Sequence, residues 1–306
     1  MRSLLSLTDL TTETVERLTR RSVELAASST YRQTLAGRSV GIFFRKSSTR
    51  TRTSFWAAAT RLGAQVVTYG PDDLQLVTGE SPEDTARVLS NYLDLLVART
   101  NGELDELRRF TGAGLGVVNA LTEHEHPTQA LADLSTLREA FGELAGRELL
   151  YVGEGNSTAA ALVLATALTP GFRLSLVTPE GYGISPDVFD AAKRLAGGDP
   201  GVEQRHDFDG LAGKVDAVYT SRWQTMGVAK ADPDWVSAFL PYRVTGELLS
   251  EVGKPGVVFL HDLPAIRGQE VTDEVLDGSA SLAWRQAAHK MTSAMSVLEW
   301  CAEVRW

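Results

Sequence analysis

A chain of 306 residues, 43% hydrophobic and 23% charged, buries substantial cores and fits two domains at about 150 residues each. Its formal charge of −9 excludes a general nucleic-acid binder and confines any anion site to a local basic pocket. Cys301 is the only cysteine, which excludes an intrachain disulfide framework and a multi-cysteine metal site; no apolar run reaches the ~18 residues of a membrane span, and a cytoplasmic protein is expected.

Short β-rich runs alternate with longer segments of helical period, the pattern of α/β architecture. In the first half, strands are predicted over 39–44, 65–69, 95–99 and 116–120. Between them Phe55, Ala58, Ala59 and Leu62 share a helical face, and Ser81-Pro82 followed by Glu83-Asp84 is a helix start. A helix over 129–141 leaves this unit, 142–146 is a polar break, and a second series follows with strands over 148–152, 173–177, 202–206, 217–220 and 257–260. The segment 284–306 has apolar residues at helical spacing and no strand after it. The expected fold is therefore α/β, with two doubly wound parallel-sheet domains of similar size, 1–142 and 143–283, and a C-terminal helix packing back on the first.

Two constellations carry chemistry. After the first strand come Arg45-Lys46-Ser47-Ser48-Thr49-Arg50-Thr51-Arg52-Thr53 and a helix expected to begin near Thr53. Hydroxyls and cations at a helix N-terminus, with its unpaired N–H groups, form a cradle for a phosphate. The turn lacks G-x-x-x-x-G-K-[ST] and is not a P-loop. The second constellation, His126-Pro127-Thr128-Gln129, follows the fourth strand, and Arg99 ends the third. All three reach the carboxyl edge of one sheet, where open α/β sheets bind ligands.

Ser48-Thr49-Arg50-Thr51-Arg52 resembles the S-T-R-T-R signature of the aspartate and ornithine carbamoyltransferases, and His126-Pro127-Thr128-Gln129-x-Leu131-x-Asp133 resembles their H-P-T-Q-x-L-x-D signature. Two further stretches are similar to the ornithine branch: Glu80-Ser81-x-x-Asp84-Thr85-Ala86-Arg87-Val88-Leu89, and His261-x-Leu263-Pro264-Ala265-x-Arg267-Gly268-x-Glu270-Val271. The resemblance implies a carbamoyl-phosphate domain, an amine-acceptor domain and a homotrimer with active sites at subunit interfaces, using carbamoyl phosphate and a small amine, without metal or organic cofactor. It assigns carbamoyl phosphate to Ser48, Thr49, Arg50, Thr51, Arg99, His126 and Gln129, with Gln75 reaching a neighbouring subunit's site. Lys290, which stands where the ornithine branch has an arginine, is assigned to carbamoyl phosphate with them. Arg99, His126 and Thr51 would stabilise negative charge growing on the carbonyl oxygen.

The acceptor side departs from the family. Ornithine enzymes carry D-x-W-x-S-M-G, whose acid meets the α-amino group; this chain has Ser221-Arg222-Trp223-Gln224-Thr225-Met226-Gly227. Arg222 and Gln224 resemble the T-R-x-Q with which aspartate enzymes hold a carboxylate. Ser157 replaces the second Asn of G-D-G-N-N, and Asp262, before Leu263, replaces the usual Cys of H-C-L-P. The expectation is a carbamoyltransferase acting on a small carboxylate-bearing amine other than L-ornithine. The alternatives are an ornithine carbamoyltransferase with an atypical acceptor site and a catalytically silent carbamoyl-phosphate-binding homologue. A Rossmann dehydrogenase, suggested by Gly153-Glu154-Gly155, lacks the third glycine.

Overall fold

The computed structural model describes residues 1–224 and 230–306. The chain divides into two units, Met1–Glu139 with Ala288–Trp306, and Ala140–Ala287.

In the first unit, α1 (Thr12–Ala27) precedes a parallel sheet of β1 (Ser39–Phe44), β2 (Gln65–Tyr69), β3 (Leu95–Arg99) and β4 (Gly116–Leu121), in the order β2-β1-β3-β4. The inner strands β1 and β3 read as continuous apolar runs because helices cover both faces of a parallel sheet, whereas the edge strand β2 keeps exposed residues. Helix α2 (Arg50–Arg61) starts at Arg50 rather than near Thr53: Thr49 is already helical (φ −72°, ψ −54°), so the hydroxyl-rich segment is the first turn of the helix. Its face of Phe55, Ala58, Ala59 and Leu62 is buried, as the spacing predicts. Helix α3 (Pro82–Leu89) is capped by Ser81, whose hydroxyl accepts from the Asp84 N–H at 3.1 Å. After α4 (Leu104–Arg109), α5 (Pro127–Phe141) begins with its proline, whose fixed φ suits a first helical position.

The second unit holds a parallel sheet of β5 (Glu148–Val152), β6 (Arg173–Val177), β7 (Val202–Arg205), β8 (Val215–Thr220) and β9 (Gly253–His261), in the order β7-β6-β5-β8-β9. Strand β7 stops one residue short of its expected end, while β8 and β9 start earlier than expected. Around the sheet lie α6 (Ser157–Ala167), α7 (Pro186–Ala196), α8 (Trp235–Phe239), α9 (Gly246–Val252) and α10 (Asp273–Leu276). Helix α6 is buried from Thr158 to Ala167, so its apolar residues run all round it rather than along one stripe.

The last helix, α11 (Ala283–Cys301), packs on the first unit from Ala288 onward, as expected. There Glu299, fully buried, accepts from Arg21 of α1 at 2.8 Å and from Thr34 at 2.9 Å, and the Ser22 and Thr292 hydroxyls lie 3.0 Å apart.

Candidate active site

The order of the first sheet reverses between β1 and β3, and the crevice at the carboxyl ends of such strands is where an open α/β sheet takes a ligand. From β1 the chain passes through Ser48 and Thr49 into the first turn of α2, where Arg50 is half-buried and Thr51 buried. Thr49 makes no side-chain capping bond, so its hydroxyl is not used in closing the helix. Strand β3 ends at Arg99, and its pairing with β4 slips there so that Arg99 faces Leu121; such a bulge re-aims a side chain. Arg99 is buried and its Nε donates to Asn101 Oδ1 at 3.2 Å. Burial, and then the Arg50 charge, lower its pKa. Two guanidiniums close enough to repel form a place that an anion stabilises.

His126 is buried just before α5. Burial, then Lys290 and Arg99, hold its pKa well below the ordinary histidine range, so the imidazole is neutral. Gln129 is oriented at both ends of its amide: Oε1 accepts from Lys290 Nζ, and Nε2 donates to Asp133 Oδ1 at 2.7 Å. The first unit thus gathers Arg50, Arg99, His126, Gln129 and Lys290. Gln75 is exposed on a 3₁₀ turn, Gln75–Thr78, and its Oε1 accepts from the Thr78 hydroxyl at 3.0 Å.

The second sheet reverses between β5 and β8. After β5 comes Gly153-Glu154-Gly155-Asn156, and a Cβ on Gly155 would lie 2.4 Å from the Gly183 carbonyl carbon, an approach only glycine permits. Asn156 caps α6, its Oδ1 accepting from the Thr158 and Ala159 N–H groups at 3.0 and 3.1 Å, while its Nδ2 donates to Ser221 Oγ at 2.8 Å. The Thr158 hydroxyl donates to Asp262 Oδ2 at 3.1 Å. Neither Asn156 nor Thr158 was singled out from sequence; an Asn directly before a helical Ser-Thr-Ala run is the signal that marks a cap.

At the end of β9, the Leu263 N–H donates to His261 Nδ1 at 2.8 Å, so the proton sits on Nε2, which donates to Glu270 Oε1 at 3.1 Å. That buried pair holds the turn carrying Asp262 and Leu263. Arg222 is half-buried, and among the described residues no acceptor meets its buried Nε; Gln224, two residues on, and Ser157, at the start of α6, are also half-buried. Thr225 and Met226 lie outside the described residues. Among the described residues the one group with metal-ligand spacing, Glu103, Glu123 and His124, is exposed and shares no residue with either constellation.

The carbamoyl-P binding domain of aspartate/ornithine carbamoyltransferases matches residues 2–139, and their Asp/Orn binding domain matches residues 145–301. The chain belongs to the aspartate/ornithine carbamoyltransferase family. An ornithine carbamoyltransferase from a Nostoc species is 40% identical over 291 residues, covering 95% of this chain and 94% of the relative. One from Haloquadratum walsbyi is 38% identical over 297 residues, covering 97% and 96%. The solved ornithine carbamoyltransferase of Pyrococcus furiosus superposes with a TM-score of 0.89 at 35% identity, covering 97% of this chain and 96% of that one. With both domains matched and the fold shared, the protein is a carbamoyltransferase.

These relatives consistently carry the ornithine name, which overturns the expectation of an acceptor other than L-ornithine. That expectation rested on the loss of the acid at Ser221 together with Arg222, Gln224 and Asp262. Strands β8 and β9 pair Thr220 with His261, so Ser221 and Asp262 follow neighbouring strand ends. A carboxylate missing from one strand end stands at the next.

Proposed function

We propose that this carbamoyltransferase moves the carbamoyl group of carbamoyl phosphate to L-ornithine and releases phosphate. The observation that carries the acceptor is the adjacency of Ser221 and Asp262 in the β8–β9 register, which keeps an acid beside the α-ammonium position. Asp262 is held by the Thr158 hydroxyl, and its side chain is only 17% exposed. In a partly desolvated setting a carboxylate attracts an ammonium more strongly than in water. Arg222, whose buried Nε meets no acceptor among the described residues, suits the acceptor's carboxylate. Ser157, Ser221, Gln224, Thr225, Met226 and Leu263 complete the acceptor side.

On the donor side Ser48, Thr49, Arg50 and Thr51 hold the phosphate, and Arg99, His126 and Gln129 the carbamoyl group. Lys290 acts through Gln129, fixing the amide in the orientation that presents its other edge. The neutral amine attacks the carbamoyl carbon, and negative charge grows on the carbonyl oxygen. Arg99, His126 and the Thr51 hydroxyl stabilise that charge, and phosphate leaves into the cradle carrying the proton the amine gives up. His126, neutral by burial, serves as a hydrogen-bond donor rather than a base. Alignment and electrostatics supply most of the acceleration. The active form is a homotrimer in which Gln75 joins a neighbour's site.

A steady-state assay of phosphate and carbamoylated product tests the reading. Stoichiometric product with L-ornithine, and little with L-aspartate or putrescine, is expected. Failure to turn over L-ornithine while another amine is carbamoylated would overturn the acceptor; failure with every amine would favour a silent homologue.

A further inference from the structure

Lys230 and Glu154 are given no part in the reaction above, yet Lys230 is only 8% exposed and Glu154 19%. A lysine is rarely buried unless it is paired. Lys230 Nζ donates to Glu154 Oε1 and lies over three rings, 4.8 Å from the centroid of Tyr182, 5.2 Å from Trp235 and 5.1 Å from Phe239. Phe239 is the hub: Tyr182, Trp223 and Trp235 approach it at 4.7, 5.4 and 5.6 Å. The chain therefore meets this cluster at Trp223, directly after Arg222, and again at Lys230.

Glu154 belongs to the turn that ends in Asn156. That turn is tied down on its other side, where the Glu154 carbonyl accepts from the Tyr151 hydroxyl at 2.8 Å and the Gly155 N–H donates to the Tyr182 carbonyl at 2.8 Å. Tyr182 thus supports both the turn and the box around Lys230.

We propose that Lys230 is a positioning residue for the acceptor site: paired with Glu154 inside the aromatic box, it holds the turn from which Asn156 reaches Ser221. The role rests on the reading that the amine binds at this edge of the second sheet. Lys230 does not touch the substrate. Its charge offsets that of Glu154, and its ring contacts fix the direction from which it does so.

The variants Lys230→Met and Glu154→Gln, and the pair together, test this in the full-length enzyme. Each single change should raise the KM for L-ornithine about tenfold or more, with carbamoyl-phosphate affinity and kcat within about twofold of the parent. Because the partners act as a unit, the double variant should be little worse than the poorer single one. Lys230→Arg, which keeps the charge and stacks on rings, should recover most of the loss. Hydrogen exchange at the Gly155 and Thr158 amides should rise in both single variants without any acceptor present. That readout separates this proposal from the choice of acceptor: a parent enzyme inactive with L-ornithine sinks the acceptor, whereas unchanged exchange sinks the role of Lys230. A folded Glu154→Gln enzyme with a parental acceptor KM, or equal weakening of both substrates, would also overturn it.

Discussion

Arg50 and His126 are assigned opposite ends of one substrate, and their variants should fail differently. Arg50 is placed against the phosphate, so Arg50→Ala should weaken carbamoyl-phosphate binding, seen by calorimetry, more than it slows bound substrate. His126 is proposed to meet charge that appears only as the reaction proceeds, so His126→Ala should lower kcat by ~10² or more with a smaller change in affinity. Near-parental carbamoyl-phosphate affinity in Arg50→Ala would refute the cradle. Because burial, Lys290 and Arg99 keep the imidazole neutral, lowering the pH through the ordinary histidine range should leave the His126 contribution to kcat in place. On the proposed acceptor side, Asp262→Asn should remove a charge-assisted bond of about 1.5 to 3 kcal/mol, which corresponds to roughly 10 to 150-fold in kcat/KM for L-ornithine. An Asp262→Asn enzyme that handles L-ornithine normally would mean the acid acts elsewhere.

The segment between β4 and α5 carries His126 and is moored to the start of the chain. Glu125 is buried, and its Oε1 accepts from the Leu7 N–H at 2.7 Å, at the head of the 3₁₀ turn Leu7–Asp9. Asn119 adds a second tie, donating to the Leu5 carbonyl at 2.8 Å. Burial raises the Glu125 pKa from 4.5 to about 7, against the Leu7 and Ser6 bonds that favour its charged form. The folded chain therefore holds this proton more tightly than the unfolded one. The resulting stabilisation is fully present below about pH 4.5 and is lost as the pH rises through about 7, where an ionised buried carboxylate opposes folding by up to roughly 3 kcal/mol. Glu125→Gln keeps an acceptor for Leu7 and removes the titration. Urea unfolding at pH 5 and pH 8 should show the parent losing more stability between the two than the variant, and parallel losses would refute the linkage.

For the whole assembly, Gln75 is the test. Its side chain is exposed on its own chain and bonded within its own turn, yet it is assigned to carbamoyl phosphate. The proposed homotrimer, in which a neighbouring subunit receives Gln75, would reconcile the two. Inactive Gln75→Ala and Arg50→Ala chains, mixed and allowed to exchange subunits, should regain part of the parental activity by joining intact halves. A fully active monomer by light scattering and assay would exclude the arrangement.

Much of this was legible from residue order, and for a definite reason. Parallel strands covered on both faces are apolar runs bounded by turns, so β1, β3 and β5 were readable end to end. Candidate ligand groups sit where those runs stop, so Arg99 and the Ser48 to Thr51 turn fell at or just after strand ends without knowledge of the sheet order. Helix α1 was missed although its buried Val15, Leu18, Ser22 and Leu25 recur at helical spacing, a face the sequence already carries. The acceptor was misread for a deeper reason. Ser221 without its acid and the added acid Asp262 were both visible in the sequence, but they are far apart in the chain and nothing in residue order relates one to the other. Only the pairing of β8 with β9 puts them side by side, as only the packing of Tyr182, Trp235 and Phe239 gives Lys230 a place to be buried. Strand ends and helix starts depend on neighbours in sequence and are written there; charge balance across strands depends on register and packing, which the tertiary structure alone decides.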